Sequence, residues 1–86
     1  MRIVAKSQEI IVVGQIKRCN EGEASKFYCL EVIIKFDNGQ ELTHILKTHG
    51  EPKGLIDFIE NKKGIKDQLS RSFALTEDGK IICIYS

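Results

Sequence analysis

Two histidines, His44 and His49, and three cysteines, Cys19, Cys29 and Cys83, are the side chains of this 86-residue chain best suited to hold a metal or attack an electrophile. The histidines stand five apart, which is not the spacing that places two ligands on one helical face, and no cysteine lies within a few residues of either. An odd number of cysteines without close spacing argues against a disulfide framework and suits reduced thiols in a cytosol. Cys29 and Cys83 fall inside strand-like apolar runs, where a cysteine serves as a small hydrophobe. A small enzyme using a thiolate activated by imidazole is therefore the remotest reading. The expectation is a chain with no metal and no cofactor.

Residues 48–54, THGEPKG, bring two glycines and a lysine to a helix start, where exposed backbone N–H groups can cradle an anion. The GxxxxGK[ST] pattern is absent, and Glu51 and Asp57 would repel a phosphate, so the segment reads as a strand-to-helix connection. The carboxylates form no pair across a cleft; Asp57 and Glu60 belong to the outer side of a helix. Nothing here supports catalysis, and the expected class is non-enzymatic.

Nucleic-acid binding requires a basic platform. Lys17, Arg18, Lys26, Phe27 and Lys35 would supply one if they shared a sheet face, the aromatic ring stacking a base and the cations meeting phosphates. Glu21, Glu23 and Glu31 interleave with them, and no RRM signature is present. Lys62, Lys63, Lys66 and Arg71 are diluted in the same way by Glu60 and Asp67. The formal net charge of +1 gives no global field toward nucleic acid or an anionic membrane.

The element that positions these residues is the stretch 26–48, KFYCLEVIIKFDNGQELTHILKT. Tyr28, Leu30, Val32, Ile34 and Phe36 alternate onto one side of a strand, leaving Phe27, Cys29, Glu31, Ile33 and Lys35 on the other. Asp37-Asn38-Gly39 makes the turn. A two-residue loop would set the apolar face of one strand against the polar face of the next. A three-residue loop with Gly39 in the left-handed bulge position instead pairs Phe36 with Gln40, Ile34 with Leu42, Val32 with His44, Leu30 with Leu46 and Lys35 with Glu41.

Upstream, residues 2–6 form a short apolar start and residues 10–17 a strand, whose unalternating run 10–13 suggests burial on both sides. Gly14 within it hints at a bulge or a close backbone approach. Residues 19–25 read as a surface loop. Downstream, Pro52 suits the first turn of a helix over 52–63, with Leu55, Ile56, Phe58 and Ile59 as its apolar stripe and Gly64 as its stop; a second, shorter turn follows. A final hairpin closes on a two-residue Asp78-Gly79 turn, pairing Glu77 with Lys80, Leu75 with Ile82 and Phe73 with Ile84.

The expected architecture is a single α+β domain over residues 1–86, about five antiparallel strands in the order β-β-β-α-β-β with one helix on one face. No apolar run reaches the roughly 20 residues that span a bilayer, and no signal-peptide core is present, so a cytoplasmic setting without membrane contact is expected. VIIKFDNGQEL, HGEPKGLIDFI and LTEDGKIICIY carry no family signature. The richness in Ile, Lys and Glu suits an AT-rich genome, such as a bacterium's or a phage's, and compact domains without motifs often serve as accessory or inhibitor proteins. Phe27, Cys29, Ile33 and Lys35 face away from the main apolar side of their strand. They are the expected docking surface for a protein partner or a second copy of the chain.

Overall fold

The computed structural model describes residues 2–19, 27–62 and 64–84. Its frame is the hairpin of β3 (Phe27–Phe36) and β4 (Glu41–His49). The register has Leu30 opposite Leu46, Val32 opposite His44, Ile34 opposite Leu42 and Lys35 opposite Glu41. The Phe36 N–H donates to the Gln40 carbonyl at 2.8 Å, and Gly39 takes φ +90°, so the turn is the three-residue bulged type. The turn is also tied to the neighbouring strand: the Asp37 N–H donates to the Lys6 carbonyl, and the Lys6 N–H to Asp37 Oδ1.

Strand β1 (Ile3–Val12) joins what looks in sequence like two apolar pieces, with an irregularity between Ser7 and Glu9. Its second half pairs with β3 and its first half with β5 (Phe73–Thr76), which in turn pairs with β6 (Ile81–Cys83). The two-residue β2 (Lys17–Arg18) pairs with Cys29 and Tyr28 of β3. Because β4 takes one whole edge of β3, β1 and β2 share the other, as two pieces of one path interrupted at residues 13–16. Gly14 sits in that interruption rather than inside a strand. The close approach it hinted at is real: a Cβ added there would lie 3.3 Å from the Glu31 Cβ.

Among the described residues the structure is dominated by a six-stranded antiparallel sheet carrying two short helices, so the α+β class holds in outline, with two short helices where one was expected. Helix α1 (Lys53–Ile59) ends well before residue 63 because Asn61 adopts φ 59°. The Lys62 N–H then donates to the Asp57 carbonyl and the Asn61 N–H to the Phe58 carbonyl, the paired bonds of a Schellman ending with Asn in the place usually held by Gly. Gly64, at φ +95°, precedes helix α2 (Ile65–Ser70) instead of stopping α1. The expected stripe is also rotated. Leu55 and Phe58 are buried, but Ile56 and Ile59 are exposed, and Asp57 turns inward enough to leave little of its side chain in water while pairing with Lys53 at 3.0 Å.

The last hairpin differs from the expected register by one residue. Leu75 faces Ile81, Ala74 faces Ile82, and Phe73 faces Cys83, with the Thr76 N–H donating to the Lys80 carbonyl. A two-residue type I′ turn needs a left-handed Asp78; the three-residue turn leaves that conformation to Gly79 alone, at φ +85°. Thr76 Oγ1, in contact with Asp78 Oδ1, also accepts from the Lys80 N–H at 3.1 Å. The slip costs little because β5 is buried at every residue, so neither face is a wrong one. That doubly buried role was expected of residues 10–13, where instead Ile10 is buried while Ile11 and Val13 are exposed. The core gathers Leu30, Val32, Ile34, Phe36 and Leu46 from the inner face of the central hairpin with Ala5, Ile10, Phe73 and Leu75, closed by Leu55 and Phe58.

Candidate outer sheet face

With the even-numbered residues of β3 turned to the core, its odd-numbered residues lie on the opposite, outer face, and cross-strand pairing sorts that face into three rows. At one end Lys35 stands between Glu9 of β1 and Glu41 of β4. In the middle Ile33 stands between Ile11 and Thr43, and Glu31 stands opposite Ile45, with Val13 donating its N–H to the Glu31 carbonyl. At the other end Cys29 stands between Lys17 of β2 and Lys47 of β4. The face is therefore banded: net acidic, then apolar, then basic.

The apolar band is open to water. Ile11 is 36% exposed, Ile45 42% and Val13 48%, with Ile33 half-buried among them. Solvent-facing sides of antiparallel sheets are normally polar, so four aliphatic residues across three strands form an unusual surface. Toward the basic end the face hollows into two adjoining open concavities of about 700 and 400 Å³ that share Lys17, Cys29 and Ile45 in their lining.

Cys29 corrects an expectation. It is bonded to Cys19, and both are buried. The bond ties the chain just after β2 to β3 at the basic end of the face, and it removes the support that an odd cysteine count lent to reduced thiols. Spacing could not reveal it, because the two residues meet only when β2 folds back beside β3. As a disulfide, Cys29 offers neither a thiolate for catalysis nor much contact area. Cys83 keeps an exposed thiol on β6.

All four residues of the expected docking surface lie on the outer face, but unequally. Ile33 is central, Lys35 belongs to the acidic row, Cys29 lies beneath the concavities, and Phe27 is an exposed ring at the basic end. Ile11, Val13 and Ile45 were not foreseen. Ile45 was within reach, since the same register that sets Ile34 against Leu42 sets Ile45 beside Glu31. Ile11 and Val13 were hidden inside a run that reads as wholly buried.

Among the described residues the expected basic platform is met only in part. Lys17 shares the outer face with Cys29, whereas Arg18 alternates to the other side, its guanidinium 5.6 Å from the centre of the Tyr28 ring. Lys35 lies six residues along β3 from Cys29, about 20 Å away, and is flanked by two glutamates. Lys26 lies outside the described residues, as do Glu21, Glu23 and Lys63.

His44 points to the inner side. Its ring meets Phe73 edge-on with centroids 5.2 Å apart, and burial pushes its pKa below the ordinary histidine value. The His49 side chain falls outside what is described. Among the described residues no three His, Cys, Asp or Glu side chains gather to hold a metal ion, and no helix is long and apolar enough to cross a membrane.

Set against protein-family models, curated proteins and solved structures, the chain gives no match.

Proposed function

We propose that the chain is a non-enzymatic binding module that docks on a protein through the outer face of its sheet. One observation supports the reading above the others: the aliphatic band in which Ile11, Val13 and Ile45 stand exposed around the half-buried Ile33, flanked by charged rows. Burying such a band is favourable at roughly 25 cal/mol per Å² of apolar area, and the charged rows at either end would set orientation. The partner this chemistry suits has an aliphatic patch bordered by acidic groups where Lys17 and Lys47 would meet them. An accessory or inhibitor role fits a module of this size.

The rival is nucleic acid held at the basic end by Lys17, Lys47 and Phe27. A tagged pull-down with and without nuclease, at low and high salt, separates the two. Phosphate contacts weaken steeply as salt rises, because binding releases counterions, whereas an apolar interface survives. A stoichiometric protein band that resists nuclease and salt, and that Ile33→Asp abolishes while the circular dichroism spectrum stays unchanged, supports docking on this face. Nucleic acid eluting as salt rises, or a band indifferent to Ile33→Asp, would overturn it.

A further inference from the structure

Resting on that docking reading, we infer that the outer face pairs with the same face of a second copy of the chain, strands antiparallel across a two-fold axis. The order of the rows carries the inference. Along β3 the acidic row (Glu9, Lys35, Glu41) and the basic row (Lys17, Cys29, Lys47) lie on either side of the aliphatic band. Two identical faces brought together must obey a two-fold axis lying between the sheets.

If that axis ran along the strands, acidic row would meet acidic row and basic row would meet basic row. If it runs across the strands, each acidic row meets the partner's basic row. The second arrangement keeps the order of strands, so Lys17 comes to Glu9 of the partner subunit and Lys47 to Glu41 of the partner subunit. The two middle levels then exchange, bringing Val13 toward Ile11 of the partner subunit, Ile45 toward Thr43 of the partner subunit and Ile33 toward Glu31 of the partner subunit. Sheets packed face to face keep their strands within about 30° of parallel or antiparallel, which this arrangement allows.

One group opposes the pairing. Glu31 lies between the rows, at the level of Ile33 of the partner subunit, and its carboxylate loses water as the faces close. The dimer is accordingly exchangeable rather than obligate, and Glu31→Gln tightens it.

Sedimentation of the full chain over a concentration series at low salt tests this. The wild-type chain dimerises with rising concentration. The double variant Lys17→Glu/Lys47→Glu weakens the dimer at least tenfold, because acidic groups then occupy both ends; Glu9→Lys/Glu41→Lys does the same with basic ones. An equimolar mixture of the two variants regains dimers, since each mixed pair restores complementary rows at both ends. If the lysines crowded around Lys35 impair folding, Glu9→Gln/Glu41→Gln must still weaken the dimer in the same direction. A chain that stays monomeric up to millimolar concentration overturns the self-pairing. So does a dimer indifferent to both charge variants, or a mixture that stays monomeric. None of these outcomes touches the docking reading, which stands or falls with Ile33→Asp in the pull-down.

Discussion

Cys19 is bonded to Cys29 with their Cα atoms 5.4 Å apart, ten residues apart in the chain. The bond fastens the chain just after β2 to β3 at the basic end of the outer face and lies beneath the concavities there.

Opening that bond costs stability. Closing a loop of this length removes unfolded-state entropy worth roughly 3 kcal/mol. Cys29→Ser, made in a Cys83→Ser background to prevent exchange, should lower the unfolding free energy by about that amount in urea titrations. Reductant should reproduce the loss in the bonded chain and do nothing to the variant. Alkylation during extraction reports the compartment: a chain blocked only at Cys83 held the bond, and one blocked at all three cysteines came from a reducing setting.

Both hairpins depend on one left-handed glycine each, Gly39 at φ +90° and Gly79 at φ +85°. A side chain there costs roughly 1–2 kcal/mol, although nothing lies close enough to clash with it. Gly39→Ala and Gly79→Ala should each destabilise by about that much, while Gly54→Ala, whose added Cβ meets open space in a helix without a positive φ, should be neutral or slightly stabilising. Equal behaviour of all three in denaturant would contradict the turn assignment.

The two sides of the central hairpin should answer truncation differently. Leu30 is fully buried, and Leu30→Ala leaves a cavity costing about 2–5 kcal/mol. Ile45→Ser on the outer face removes an exposed side chain and should cost under about 1 kcal/mol. Thermal melts of the two variants check the inner and outer assignment directly.

His44 makes the fold sensitive to mild acid. Burial lowers its pKa in the folded chain below the unfolded value of 6.5. Between those two values the unfolded chain binds more protons, so the contribution to stability is present above pH 6.5 and is lost as pH falls below it. The melting temperature should therefore drop between pH 7.5 and 5.5, and His44→Gln should flatten that part of the profile. A slope unchanged in the variant would assign the effect elsewhere.

Alternation, turn chemistry and charge were enough to read the central hairpin from residues alone. Over residues 28–36 every even position is apolar, and only one register of β4 keeps that face against an apolar partner. The α+β outline followed from the same logic, as did the outward placement of Phe27, Ile33 and Lys35. Local rules failed where two local solutions lie close in energy. Asp78-Gly79 suits either turn length, and burial of β5 on both faces leaves alternation nothing to choose between. Asn61 and Gly64 can both end a helix, and the chain ends it at Asn61.

The sequence by itself determined what each strand residue near the central turn faces, because neighbours in one hairpin are set by the turn between them. The tertiary structure decided which distant residues share a surface: Cys19 with Cys29, Ile11 with Ile33, and Glu9 with Lys35. Those pairings depend on β1 and β2 lying along the edge of β3 that β4 leaves open. No local periodicity encodes that choice, since it is made by burying β1, β5 and the helices together in one core.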